Sequence, residues 1–298
     1  MKPPLMTTTT RTRRLGNLVA CLLLALATSA LVSACGSGTS VRHDLLIVAG
    51  STSVQPFAEK LGEMYMAVHP RHVINVQGGG SSAGIMAVLS GAAQIGTSSR
   101  ELTAEERRQV VEYPMAWDGI AVVVNCRNPV AKLSLAEINA IFAGRVTNWK
   151  QLGLPLDHRI DAISREEGSG TRSAFEELVM AKKTVSDSCL VQDSNGAVRE
   201  LVATDPYAIG YISVGLVDAR VNVLAVDGIL PTAKNIKSRT YRLVRPFLFC
   251  TRGRAQGEAK AFIGFVLGHS GQSVLEAEGL VGVGPAPWGT DSGTPIMD

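Results

Sequence analysis

Four times along this 298-residue chain a run of apolar, strand-like residues ends in a cluster of Gly, Ser and Thr and passes directly into an amphipathic segment. The clusters are GSTS at 50–53, GGGSS at 78–82, GSGT at 168–171 and SNG at 194–196. A strand-to-helix turn leaves the first helical N–H groups without partners and directs about half a positive charge at the turn. Each turn is therefore a seat for an anion, with hydroxyls as extra donors and glycine allowing close backbone approach. Any single Gly/Ser turn is more often a plain connection than a ligand site. Recurrence at successive strand ends, with an arginine (Arg165) preceding one of them, favours a convergent cage for an oxyanion built mainly from neutral groups.

The intervening segments support that architecture. Residues 45–49 (LLIVA), 73–77 (VINVQ), 94–96, 120–125 (IAVVVN), 160–164, 190–192, 208–212 (AIGYI) and 221–226 read as strands, and 241–250 (YRLVRPFLFC) as a long extended run broken by Pro246. Helical periodicity covers 54–68, 83–89, 102–112, 173–181, 197–202, 259–267 and 274–277. A further helix begins after Ser134, which forms a capping box with Glu137, and stops near Gly144. Alternation of this kind predicts an α/β protein with doubly wound, parallel-stranded sheets. Trp149, in the NWK segment, is expected to pack against a core rather than touch a ligand.

The N-terminal segment is a separate matter. Lys2, Arg11, Arg13 and Arg14 precede an apolar stretch at 15–32, with no acidic residue before position 35. This is the pattern of a cleaved export signal over 1–34. The sequence VSAC at 32–35 is similar to the bacterial lipobox, which implies a lipid on Cys35, a linker over 35–43 and a membrane anchor. An ordinary signal that happens to precede a Cys is the plainer alternative, and a twin-arginine signal fits poorly. The whole chain carries 29 Lys+Arg against 26 Asp+Glu, a formal charge of +3. Four of those basic residues and no acidic ones leave with the signal, so the mature chain has a formal charge of −1. It lacks the broad basic field that recruits nucleic acid, and anion selectivity has to come from a local, desolvated site.

Cys126, Cys189 and Cys250 remain beyond the lipobox and allow at most one disulfide and one free thiol. Cys126 and Cys250, both at the ends of apolar runs, are the candidate neighbours. No Cys/His spacing suits a metal, and His69 and His72 flank a Pro-Arg turn that reads as a solvated loop. Ser169 lies in GSG rather than a GxSxG elbow, with no adjacent histidine, and HExxH and GxxxxGK[ST] are absent. A serine hydrolase or phosphatase is thus disfavoured, and neither cofactor nor metal is expected.

Read in order, GSTSVQPFAE, VQGGGSSAGI, QIGTSSR, WDGIAVVVN, IFAGRVTNWK, REEGSGTRSAFE, SNGAV and AIGYIS resemble the phosphate-binding proteins of bacterial phosphate ABC transporters over roughly residues 45–250. The resemblance implies a type II periplasmic-binding fold. Lobe 1 would comprise 44–123 and 244–285, lobe 2 would comprise 124–243, and 286–298 would form a loose tail. Two hinge strands would join the lobes, with phosphate in the cleft. It implies an exported monomer, lipid-anchored in the cell envelope, whose partners are phosphate and the permease and ATPase of an ABC transporter. Another tetrahedral oxyanion, or a sensing or surface role without transport, is the alternative.

The implied phosphate ligands are Thr52, Ser53, Ser81, Arg165, Ser169, Gly170 and Thr171, with Ser51, Ser82 and Asn195 as further candidates. Better-known members carry an Asp, the acceptor for the phosphate proton, where this chain has Ser99. Asp118 is the candidate replacement and Glu167 the second. Arg100, beside the altered position, either pairs with that carboxylate, reaches the anion, or is a solvated residue opening a helix.

Overall fold

The computed structural model describes residues 44–283, so the signal segment, Cys35, the linker and the 286–298 tail lie outside the described residues. The first five elements alternate as expected: β1 (Asp44–Gly50), α1 (Gln55–Val68), β2 (His72–Gln77), α2 (Ser81–Ser90) and β3 (Ile95–Ser98). β1 pairs in parallel with both β2 and β3. The turn after β1 is tight enough to require glycine at its head. Gly50 has φ +140°, and a Cβ there would lie 2.4 Å from the Thr97 carbonyl oxygen.

The next segment departs from the sequence expectation. Helix is confined to α3 (Ala104–Arg107), where Thr103 and Glu106 form a capping box, and strand β4 (Val111–Asn125) already begins at Val111. Helical periodicity over 102–112 loses to tertiary pairing, because residues from Val111 onward form one side of a ladder: β11 (Val244–Thr251) runs antiparallel to β4 from Thr251↔Val111 to Val244↔Gly119. Pro246 is tolerated because β3 pairs with β11 only from Leu248 onward.

β4 changes neighbours midway. Beyond Gly119 it pairs antiparallel with β8 (Ala208–Ser213), from Ile120↔Ser213 to Val124↔Ile209. β6 (Asp161–Arg165) lies parallel to β8 and to β7 (Leu190–Gln192). The main sheet has strand order β2-β1-β3-β11-β4-β8-β6-β7, parallel toward its two ends and antiparallel at its centre, where the expectation was parallel throughout. The extended stretch at 221–226 is two short strands in different sheets. β9 (Val221–Val223) pairs with β4, and β10 (Ala225–Val226) pairs with β5 (Lys132–Leu133). β12 (Val281–Gly282) adds to β4 beside Trp117.

Helices cover the sheet. α4 (Leu135–Phe142) starts at the Ser134/Glu137 capping box. α5 (Gly170–Leu178) starts three residues earlier than expected because Ser169 caps it, its Oγ accepting the Arg172 N–H at 3.3 Å. α6 (Asn195–Thr204) is capped by Ser194, and α7 (Ala233–Lys237), α8 (Gly257–Leu267) and α9 (His269–Ala277) complete the set among the described residues.

Two large apolar clusters flank the point where β4 changes neighbours. One joins Leu46, Val48, Phe57, Leu61 and Ile95 to Phe247, Phe249 and Phe262. The other gathers Val122, Phe142, Trp149, Phe175, Tyr211 and Tyr241. Burial of each such side chain stabilises the fold by about 1.5–3 kcal/mol. Trp149 is fully buried as expected, its indole N–H donating to the Tyr207 carbonyl at 3.1 Å. Cys126, Cys189 and Cys250 are all free thiols. Cys126 and Cys250 are not neighbours, since Cys250 pairs in register with Glu112 near the start of β4 and Cys126 follows its end.

Candidate anion-binding site

Three of the four Gly/Ser turns meet the end of β3 and the centre of the sheet at a single buried cluster, and the fourth joins them through Asn195. Ser53, in the turn before α1, lies 2.8 Å from Thr171 Oγ1 of α5 and 2.8 Å from Asn195 Nδ2 of α6. Ser81, the first residue of α2, accepts the Ser99 N–H at 3.1 Å, and Ser51 donates to Ser99 Oγ at 2.9 Å. A Cβ at Gly170 would lie 2.1 Å from Ser81 Oγ and 2.7 Å from Ser99 Oγ, so the N-terminus of α5 sits directly against these hydroxyls. The Ser82 N–H donates to the Gly168 carbonyl at 3.1 Å. Ser51, Ser53, Ser81, Ser99, Ser169, Thr171 and Asn195 are all buried.

The cluster contains two buried arginines. Arg165, at the end of β6, is gripped bidentately by Glu166, with Nε on Oε2 and Nη2 on Oε1, both at 2.9 Å. Its Nη2 also donates to Thr52 Oγ1 at 3.0 Å and to the Asp193 carbonyl at 3.0 Å. Its Nη1 is buried and has no hydrogen-bond partner among the described residues. A buried guanidinium N–H pair without an acceptor costs free energy that an anion there would recover. Arg245, on β11, pairs in register with Asp118 on β4. Its Nε donates to Asp118 Oδ2 at 2.9 Å, Nη1 to the Ser99 carbonyl at 3.2 Å and Nη2 to Ser53 Oγ at 3.2 Å.

The candidate proton acceptors are placed differently from one another. Asp118 reaches the cluster, but its oxygens are engaged: Oδ2 by Arg245, and Oδ1 by the Ser213 hydroxyl at 2.8 Å and the Val214 N–H at 3.2 Å. Burial pushes the Asp118 carboxyl up and the Arg245 guanidinium down, each opposed by the charge of the other. Glu167 is exposed and is not brought into the cluster. Arg100 takes a partner the sequence reading did not name, a bidentate pair with Glu106 at 2.8 Å on both arms, and reaches Ser82 Oγ at 3.4 Å. Three carboxylates near the cluster, Asp118, Glu166 and Glu106, are thus each held by an arginine.

Such a site brings together two cations, four helix N-termini and a set of hydroxyls, the donor set for a compact oxyanion. A family model of the PBP superfamily domain matches residues 28–270. The phosphate-binding protein PstS of Bacillus subtilis (strain 168) is 33% identical over 245 residues, covering 80% of this chain and 80% of that protein. This chain belongs to the phosphate-binding protein family of bacterial phosphate ABC transporters. A putative phosphate ABC transporter substrate-binding protein from Clostridium perfringens, solved with bound phosphate, superposes with a TM-score of 0.77 at 38% identity. It covers 81% of this chain and is itself covered completely. An ABC-type phosphate transport receptor from Vibrio cholerae gives a TM-score of 0.67 at 37% identity, over 79% of this chain and 99% of that one.

As a member of the phosphate-binding protein family, the chain has the type II periplasmic-binding fold. The sequence reading missed Arg245, Glu166 and Ser213. Arg245 carried a signal, since a lone arginine inside an apolar run that forms a buried central strand must have a buried partner. Glu166 and Ser213 gave none, because a carboxylate or hydroxyl at a strand end is ordinary.

Proposed function

We propose that this protein captures inorganic phosphate in the buried cluster and presents the closed, loaded form to the permease and ATPase of an ABC transporter. The observation that carries the reading is the unpartnered Nη1 of Arg165, buried beside Thr52 on a guanidinium whose other nitrogens are already held. Phosphate oxygens would accept from this nitrogen and from Thr52, Ser53, Ser81, Ser169 and Thr171, with the Gly170 N–H at the helix start. Each charge-assisted bond contributes about 1.5–3 kcal/mol before dehydration and ordering costs.

Residues 44–123 with 244–285, and 124–243, act as two lobes that close on the anion. The apolar clusters on either side of the β4 handover support a two-lobe division, with Val122, Val244 and Val281 of the first lobe packing into the second cluster. Because donors come from both sides, only the closed state completes the cage, and binding drives closure. The chain acts as an exported monomer, held at the membrane by a lipid on Cys35, and performs no chemistry on its ligand. Among the described residues no helix is long and apolar enough to cross a membrane, so the proposed anchoring rests on the lipobox-like VSAC. Mass spectrometry of the envelope-associated protein should find a diacylglyceryl adduct on Cys35, and an unmodified N-terminus would remove the anchor from the account. Isothermal titration of the purified protein with phosphate should give one site per chain. No heat and no competition by phosphate for a labelled oxyanion would refute the function.

A further inference from the structure

The Ser53 hydroxyl has one proton to donate and two lone pairs with which to accept. Both lone pairs are taken by groups that can only donate: Asn195 Nδ2 at 2.8 Å and Arg245 Nη2 at 3.2 Å. The Asn195 amide cannot turn round without loss, because its Oδ1 accepts the Ser213 N–H at 3.1 Å and a flip would set two donors face to face. Arg245 is fixed as firmly, by Asp118 Oδ2 through Nε and by the Ser99 carbonyl through Nη1. Ser213 closes the circuit by donating its hydroxyl to Asp118 Oδ1 at 2.8 Å. Ser53, Asn195, Ser213, Asp118 and Arg245 therefore form one closed hydrogen-bonded ring, with no member more than 2% exposed.

We infer that Asn195 and Arg245 are positioning residues that lock the Ser53 hydroxyl as an obligate donor, so that this corner of the site admits only an unprotonated ligand oxygen. The inference rests on Ser53 being a ligand of the bound anion. With its lone pairs filled, Ser53 must give its proton to Thr171 Oγ1, 2.8 Å away, or to a bound oxygen in its place. A protonated phosphate oxygen at this corner would oppose one donor to another and leave a buried proton unpaired. The ring thereby converts an amphoteric hydroxyl, indifferent to the ligand's protonation, into a filter for it. Asp118 acts at one remove, as the counter-ion that orients Arg245.

The test measures phosphate affinity from about pH 6 to about pH 8.5, the range over which the ligand passes from monoanion to dianion. Asn195→Ala returns a lone pair to Ser53, which can then accept a ligand proton. The variant is expected to bind about tenfold more weakly than the native protein at the alkaline end and to within about threefold of it at the acid end. The charged or titratable groups acting on the ring, Asp118, Arg245, Arg165, Tyr211 and Tyr241, are common to both proteins, so the difference between the two profiles isolates the change at Asn195.

Ser53→Ala, which removes the obligate donor together with its contacts to Asn195 Nδ2, Arg245 Nη2 and Thr171 Oγ1, should flatten the profile in the same way. Adding Asn195→Ala to it should cost less than about twofold more. A loss of equal size at every pH, or full additivity of the two substitutions, would overturn the inference and leave Asn195 a packing residue. Failure of the native protein to bind phosphate at any pH would instead overturn the proposed function, on which the inference stands.

Discussion

Removing the Arg165 side chain deletes the one cation of the cluster with a buried donor nitrogen still unpartnered among the described residues. In the phosphate-bound state its Nη1 would make one or two charge-assisted hydrogen bonds, each contributing about 1.5–3 kcal/mol. Arg165→Ala also releases Glu166, whose carboxylate is neutralised at 2.9 Å on both arms in the native protein and would then stand as a free negative charge beside the anion. Glu166 is partly exposed, so water screens much of that repulsion and the hydrogen-bond loss dominates. A total near 3 kcal/mol follows, or roughly a hundredfold increase in Kd at about 1.4 kcal/mol per decade. Isothermal titration with phosphate reads it directly, and a circular-dichroism melt checks that the variant is folded. Arg165→Lys should recover only part of the loss, because a single ammonium cannot hold Glu166 bidentately and still offer a second nitrogen to the ligand. A folded Arg165→Ala protein whose Kd lies within about twofold of the native value would refute the argument.

Other perturbations separate the parts of the site. Gly170→Ala places a methyl group 2.1 Å from Ser81 Oγ and 2.7 Å from Ser99 Oγ in a residue whose helical backbone accepts alanine. Overpacking of these buried hydroxyls should lower the melting temperature by an amount corresponding to about 1–3 kcal/mol, and phosphate affinity of the folded variant should fall at least about tenfold; unchanged affinity by titration would put the ligand elsewhere. Asp118→Asn weakens a buried ion pair and should lower unfolding stability by about 3 kcal/mol in urea, weakening phosphate and sulfate binding in parallel. A selective gain for sulfate would instead make Asp118 the direct acceptor of the ligand's proton. Glu106 is held below the ordinary carboxylate range, chiefly by its hydrogen bonds to Arg100. Its contribution to stability is present above the ordinary value of 4.5 and is lost as pH falls through its lowered folded value. Glu106→Gln should accordingly narrow the acid-induced loss of stability in that window, seen as a smaller change in melting temperature between neutral and acidic buffer; an identical pH profile would contradict the assignment.

The parts of this fold legible in the sequence were those decided within a few residues. The Ser134/Glu137 capping box, the Gly/Ser turns and apolar strands such as 45–49 and 208–212 depend on local chemistry, and each is found where the sequence puts it. What escaped depends on partners distant in the chain. Residues 102–112 have helical periodicity, yet Val111 and its successors are claimed by a ladder with β11, some 130 residues away. Asn195 is in the sequence only a further ligand candidate; Ser194 caps the helix, and the contact of the Asn195 amide with Ser53 spans 142 residues of chain. The same limit applies to the charged groups. Arg165 stood out beside its glycine turn, whereas the choice of Glu166 as its clamp, with Glu167 exposed, depends on which way the chain turns after β6. The antiparallel centre of the sheet follows from β11 returning between β3 and β4, a long-range event that alternation of strand and helix does not reveal.

The most direct measurement is a crystal structure of this protein grown with phosphate. The account predicts one tetrahedral ligand at the meeting point of the four turns, with Arg165 Nη1 within hydrogen-bond distance of one of its oxygens and Ser53 donating to another. Phosphate bound at a different place, or an occupied cluster in which Arg165 Nη1 remains without an acceptor, would contradict it.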